Sequence, residues 1–274
     1  MQEWFKNRKT FKESVSRALY EKTERRCLYP PDVANSPSTS SVLFLMGEQC
    51  ENGRHAGDPC VVLNKRSVRV RQPGDLCFPG GRIDPRLDAF LSKAVKWPLS
   101  PLGRWSHWSR WKMDHRQETS RLCLLLATAL RESVEEMRLN PFGLTFLGPM
   151  PSQDLSLFGR VLYPMVAWIN RQKHFLPNWE VEKIVRIPLR NLLVSEAYAC
   201  YRIRFEHREH GSFVQDFPCF IHENEREREI LWGVTYRMVM AFLESAFGFT
   251  PPAMEVLPVI QGRMGENYLR GGFP

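Results

Sequence analysis

Glu132, Glu135 and Glu136 stand at i, i+3 and i+4 in the run "ATALRESVEEMRL" (127–139), so a helix places all three carboxylates on one face. Crowded acids repel one another unless something positive sits among them. A hard divalent ion such as Mg²⁺ or Mn²⁺ is the natural neutraliser, because it prefers carboxylate oxygen and retains part of its water. Arg131 is spaced to pair with Glu135 one turn on. Taken alone, R-E-x-x-E-E also describes a solvated acidic helix face. The segment "FPGGRIDPRLD" (78–88) supplies what such a face lacks. Pro79-Gly80-Gly81 reads as a tight turn whose backbone can approach a phosphate closely, and a metal on neighbouring carboxylates can bridge that phosphate's oxygens. Asp84 and Asp88 follow the turn.

The element that must carry the glutamates is "ETSRLCLLLATALRESVEEMRL" (118–139), free of Gly and Pro and rich in Leu, Ala, Glu and Arg. It is predicted as a helix with Thr119 or Ser120 as N-cap and Asn140-Pro141 as its stop. Leu125, Ala129 and Val134 occupy its other face and are expected to bury against a sheet. Strands are predicted at 41–46 and 60–66, as a hairpin with a long loop, and at 144–150, 161–169 and 181–189. A second helix is predicted at 225–247. Residues 1–26 form an expected amphipathic helix with Trp4, Phe5, Phe11, Val15, Ala18 and Leu19 on one side. A Pro/Ser-rich linker follows it, and the Pro/Gly-rich stretch after 249 reads as an arm or loose tail. No internal repeat is present, and one α+β domain with a helical N-terminal extension is expected.

The 274 residues carry a formal charge of +8 and are 43% hydrophobic, which suits a protein with a real core and an anionic partner. Charge alone leaves nucleic acid, a membrane surface and a phosphorylated small molecule open. No apolar run reaches the roughly 18–20 residues of a membrane span. The seven cysteines are odd in number and never form C-x-x-C, which argues for reduced structural thiols over a disulfide framework or a zinc site. The acid-containing N-terminus has no secretory apolar region, so a cytoplasmic location is expected, with an organelle left open.

Between 89 and 121 the chain turns basic and carries Trp97, Trp105, Trp108 and Trp111 beside Lys96, Arg104, Arg110 and Lys112. Three readings compete: the core of a lid or subdomain, a membrane-surface or protein contact, and a stacking surface for an adenine or acyl group. The same composition describes a single-strand nucleic-acid platform. His107 and His115 lack metal-ligand spacing and read as surface histidines. A homodimer is a further open partner.

The glycine turn, the acids behind it and "LRESVEE" together resemble the Nudix box, G-x5-E-x7-R-E-U-x-E-E-x-G-U with U apolar. Segments 64–81, 147–152, 159–168, 181–193 and 230–238 resemble the coenzyme A diphosphatase branch of that superfamily. The resemblance spans about residues 40–245. It implies an α/β/α sandwich with a mixed central sheet, formed by residues 41–248, with 1–40 as extension and linker, 89–117 as an insertion inside the box and 249–274 as arm or tail. It further implies Mg²⁺- or Mn²⁺-dependent hydrolysis of coenzyme A or an acyl-CoA to 3′,5′-ADP and (acyl-)4′-phosphopantetheine. Glu132, Glu135 and Glu136 would be metal ligands, with Asp88 as an outlying one and Glu132 a candidate to orient or deprotonate water. Arg131 would orient the carboxylates. Gly80 and Gly81 would line the phosphate site, and Arg66 and Arg71 would take the substrate's extra phosphate.

The pattern departs from the box in three places. Residues 89–130 stand where the box allows seven, Arg138 replaces the glycine after the last glutamates, and Pro73 stands about where the branch has a histidine. Two alternatives therefore stay open. One is a Nudix hydrolase of another nucleoside diphosphate derivative, such as a dinucleotide, a sugar nucleotide or capped RNA. The other is an inactive module that binds through the basic insertion.

Overall fold

The computed structural model describes residues 7–23, 27–49, 57–155, 159–207, 211–223, 227–265 and 268; Trp4, Phe5 and Cys50 lie outside them. The chain forms two compact units, one from Met1–Val62 and Phe78–Leu176, the other from Leu63–Cys77 and Pro177–Pro274.

In chain order the first stretch runs α1 (Arg8–Thr23), β1 (Thr39–Glu48), β2 (Pro59–Arg66, shared between the units), β3 (Leu76–Cys77, in the second unit) and β4 (Gly80–Arg82). There follow α2 (Leu87–Ala94), α3 (Trp108–Asp114), α4 (Thr119–Met137), β5 (Leu144–Pro149), β6 (Gln153–Leu155) and β7 (Arg160–Ile169). β1 is the central strand of the first unit. Its apolar run Val42–Met46 is buried throughout, as a strand covered on both faces must be. β2 pairs antiparallel with β1, β7 runs parallel to it from Thr39↔Val161 to Met46↔Trp168, and β5 and β6 add to β7 antiparallel. β4 pairs with the start of β1 at Ser41↔Gly81 and Val42↔Gly80. This mixed sheet is flanked by helices: α4 packs on β1, α1 on β5, and α2 on α4.

α4 begins after Glu118 with no side-chain cap. Thr119, an expected cap, instead donates its hydroxyl to the His115 carbonyl at 3.1 Å. The expected glycine at the other end is Arg138, yet the backbone keeps the left-handed turn, with φ 53° and its amide donating to the Val134 carbonyl at 3.0 Å. A non-glycine residue pays roughly 1 kcal/mol for that conformation.

The insertion is a folded helical layer, with most of its aromatics inside. Trp105, Trp108 and Trp111 are buried, which corrects the readings that gave them a membrane, partner or stacking role. Trp105 Nε1 donates to Ser16 Oγ (3.0 Å) and to the Leu147 carbonyl (3.2 Å), and Tyr20 donates to Asp114 at 2.8 Å. Trp111 lies against Tyr20, Tyr29, Trp105 and His115. His115 is buried and stacked on Trp111, and His107 is half-buried and stacked on Tyr20, so neither is a surface histidine. Only Trp97 of the four stays outside, at 66% exposure. Phe11, Val15 and Leu19 of α1 are buried as the amphipathic pattern predicts.

The second unit contains the end of β2, β3, β8 (Val181–Pro188), α5 (Leu189–Leu192), β9 (Tyr198–His207), β10 (Gly211–Glu223), β11 (Arg228–Trp232), α6 (Gly233–Phe247) and β12 (Val259–Met264). Its second sheet has the order β11-β10-β9-β12. The predicted helix at 225–247 is therefore strand first and helix second. Gly233 at φ 65° marks the change, and the alternating "REILW" ahead of it pairs with β10. Part of the expected loose tail is also ordered, since β12 runs parallel to β9. Beyond it, Tyr268 donates to Asp75 at 2.5 Å, and Trp232 Nε1 donates to the same carboxylate at 3.1 Å. Burial pushes the Asp75 carboxyl up to about 6 against both hydrogen bonds.

Cys27, Cys60, Cys77, Cys123, Cys200 and Cys219 are free thiols. Burial pushes Cys123 up to about 11 and Cys219 to about 12, so both stay protonated and inert at neutral pH. Among the described residues no helix is long and apolar enough to cross a membrane.

Candidate active site

The two halves of the split motif meet in the first unit. α4 brings Glu132 and Glu136 to β4, whose short antiparallel pairing with β1 fixes the glycine turn. A Cβ on Gly80 would strike the Ser41 carbonyl and the Val42 backbone, neither of which can give way. A Cβ on Gly81 would strike the Glu132 carboxylate. Glycine is thus required at Gly80 by close approach of backbone, while at Gly81 a side chain would displace one of the predicted acids itself. The Gly80 amide donates to Glu136 Oε1 at 3.2 Å.

Arg131 is the hub. Its Nε donates to Asp88 Oδ1 at 2.8 Å, and its Nη2 reaches Asp88 Oδ2 at 3.2 Å, the Arg82 carbonyl at 3.0 Å and Glu132 Oε1 at 3.0 Å. Its Nη1 lies 3.2 Å from both oxygens of Glu135. One guanidinium therefore ties the turn, the start of the insertion and the helix acids together, which a lysine could not do with a single point charge. Burial works against the Arg131 charge. The Asp88 hydrogen bonds and the attraction of Glu132, Asp88 and Glu135 outweigh it and raise the pKa.

Asp88 is fully buried. Besides Arg131, its Oδ2 accepts from Thr128 Oγ1 and from the Asp84 amide, both at 2.8 Å. Both oxygens are thus committed to holding Arg131 and the turn, where the sequence reading had made Asp88 an outlying metal ligand. Asp84 in turn accepts the amides of Arg86 (2.9 Å) and Leu87 (2.8 Å) and so caps α2. Sequence reasoning missed Thr128. A lone hydroxyl inside the apolar run "LLLATAL" was the available signal, since a buried hydroxyl needs a partner.

Burial raises the Glu132 carboxyl above the usual range; Arg131 pulls it down and Glu135 pushes it further up. The side chain of Glu132 is 18% exposed and that of Glu135 52%, while Glu136 is buried. Arg66 and Arg71 belong to the second unit. Arg66 Nε donates to the Arg71 carbonyl at 2.7 Å, and Arg71 is exposed.

Among the described residues no three His, Cys, Asp or Glu side chains converge as a ready metal cage; Glu132 and Glu135 are turned to Arg131 and Glu136 to the Gly80 amide. The donor chemistry nevertheless fits a hard divalent cation: carboxylate oxygens alone, one helical turn apart, beside a glycine backbone.

No family model matches the chain. A Nudix hydrolase of Pectobacterium atrosepticum, NudL, itself uncharacterised, is 24% identical over 183 residues, 66% of this chain and 72% of that protein. Solved structures with some likeness include a Nudix hydrolase from Nitrosomonas europaea (12% identity, TM-score 0.37, 85% of this chain and 82% of that one). Another is the Nudix domain of Shewanella oneidensis NrtR in complex with ADP ribose (16% identity, TM-score 0.34, 60% and 81%). Over about two thirds of its length the chain is thus similar to a bacterial Nudix hydrolase.

Proposed function

We propose that the protein is a divalent-metal-dependent pyrophosphohydrolase that cleaves the diphosphate of coenzyme A or an acyl-CoA into 3′,5′-ADP and (acyl-)4′-phosphopantetheine. The observation that carries the hydrolase reading is the Arg131 hub, which draws Asp88, Glu132, Glu135 and the glycine turn into one cluster across the insertion. The coenzyme A assignment rests on the resemblance of the flanking segments to that branch.

Glu132, Glu135 and Glu136 are the residues to hold Mg²⁺ or Mn²⁺, which when bound neutralises charge on the phosphoryl oxygens and acidifies water. Gly80 and Gly81 let the substrate's diphosphate lie against backbone. Glu132, whose carboxyl burial has raised, is suited to take a proton from the attacking water. Asp88 and Arg131 act as positioning residues that hold the acids against the turn. Arg66 and Arg71 belong to the other unit and are given no part in this cluster; no ion pair engages either guanidinium among the described residues.

The test is hydrolysis of coenzyme A, acetyl-CoA, NADH, ADP-ribose and capped RNA with Mg²⁺ or Mn²⁺, with products weighed by mass spectrometry and Glu136→Gln as control. Metal-dependent release of 3′,5′-ADP that the control lowers about a hundredfold is the expected result. Pro73 in place of the branch histidine favours a second reading, another nucleoside diphosphate derivative as substrate. Turnover of NADH, ADP-ribose or capped RNA alone would establish that instead, and no turnover of any would remove the hydrolase reading.

A further inference from the structure

The first half of the insertion presents a face that the site does not use. Leu87 (44% exposed), Phe90 (68%), Trp97 (66%) and Leu99 (76%) all point outward between residues 87 and 99. Asp88 and Val95 are buried on the other side of the same winding. Positions 87, 90 and 94 share one stripe of α2. The winding continues past the helix through the Val95 amide to the Leu91 carbonyl (3.1 Å) and the Trp97 amide to the Ala94 carbonyl (3.1 Å), which carries Trp97 onto that stripe. The backbone beneath Trp97 is fixed. Gly103 lies so close to the Trp97 carbonyl that no Cβ would fit, and its amide donates to Ser100 Oγ at 2.9 Å.

The charge along most of the stripe is positive, and the exposed Asp84 stands only at its start, beside Arg86. Arg86, Lys93 and Lys96 are exposed beside it, and none of them forms an ion pair among the described residues. From 86 to 112 the chain contains one acid, Asp88, and that one is buried against Arg131. An outward row of aliphatic and aromatic side chains rimmed by unpaired cations is the surface that interfacial lipid binding requires: apolar groups enter the acyl boundary, Trp settles at the headgroups, and lysine meets anionic phosphate. A protein partner of the same apolar character would not call for the two lysines, Lys93 and Lys96, beside the exposed row.

We infer that the Leu87–Leu99 face is a docking surface for an anionic phospholipid bilayer. The inference stands apart from the proposed hydrolysis and is read without it. The full chain is sedimented with vesicles of phosphatidylcholine alone and of phosphatidylcholine mixed with phosphatidylserine, at low and high salt. Wild type is expected to bind the mixed vesicles and to lose binding as salt screens the lysines. The double variant Phe90→Ser/Trp97→Ser and the charge variant Lys93→Glu/Lys96→Glu are each expected to weaken binding by at least about tenfold. Both change exposed side chains, so their melting temperatures should match wild type, and this check separates lost binding from lost folding. Absence of binding to mixed vesicles, or equal binding by wild type and both variants, overturns the proposal. So does a dimer in light scattering that Trp97→Ser dissolves, since the face would then belong to a second copy.

Discussion

At the N-terminal end of α4, Glu118 is buried, and one oxygen accepts the amides of Leu28 and Tyr29, both at 2.7 Å, while the other meets the His115 ring at 3.0 Å. At the C-terminal end Glu132 and Glu135 share a single guanidinium that Asp88 already holds, and Glu136 accepts one amide from Gly80. The first carboxylate is saturated by groups that fix the chain: it pins the segment after α1, the insertion and the helix start to one point. The second set is under-neutralised, with Asp88, Glu132 and Glu135 around the one Arg131 guanidinium. Saturation marks a structural carboxylate; a shortfall of positive charge marks a place prepared for something else positive. Asp75 is a third case, where burial pushes the carboxyl up to about 6 although its hydroxyl and indole donors favour the charged form.

The sharpest way to break this contrast is Arg131→Ala. It leaves Asp88 buried without its partner, and should cost about 3–5 kcal/mol of stability as well as all measurable activity. Retention of wild-type stability in chemical denaturation would show that the hub is ornamental. Glu118→Ala should cost about 3 kcal/mol by stranding two amides and a ring nitrogen, while activity below the melting transition is kept. A parallel loss of activity in the folded variant would merge the two ends of α4 into one site.

Asp75 yields a pH effect of defined sign. Its folded value of about 6 exceeds the ordinary 3.8, so the native state binds the extra proton. That contribution is fully present below about pH 4 and is lost as pH rises through 6, about 3 kcal/mol in all. Asp75→Asn, which keeps an acceptor without the charge, should remove this slope; melting curves at pH 5 and pH 7.5 compare the two proteins. The smallest stability effect belongs to Glu136→Gln. It should alter folding by less than about 1 kcal/mol yet lower hydrolysis about a hundredfold, equivalent to about 2.7 kcal/mol of barrier. A large destabilisation there would mean that the far end of α4 is structural after all.

Local chemistry was legible from the chain wherever neighbours along the sequence are neighbours in space. The i, i+3, i+4 glutamates, the helix that bears them, the glycine turn and the long strands of the first sheet follow from local period and turn residues, whereas its short strands β3, β4 and β6 do not. The hairpin of β9 and β10, the strand half of 225–247 and the parallel strand β12 escaped, because each is stabilised by pairing with distant residues and carries a weak local pattern. The insertion shows the same limit. Composition revealed four tryptophans in a basic segment, but whether each is core or surface depends on what meets it. Trp105 and Trp111 find Tyr20, Tyr29 and Phe146, elements far away in sequence, and Trp97 finds no aromatic partner among the described residues.

By itself, then, the sequence determined which residue types could hold a cation and a phosphate, and that a helix and a turn would present them. Tertiary structure decided that the two halves rejoin across residues 89–130, that Asp88 supports Arg131, and which aromatics reach solvent. The reason is physical: helical spacing and turn geometry are local properties of the chain, whereas burial and hydrogen-bond saturation depend on the groups that folding brings from elsewhere.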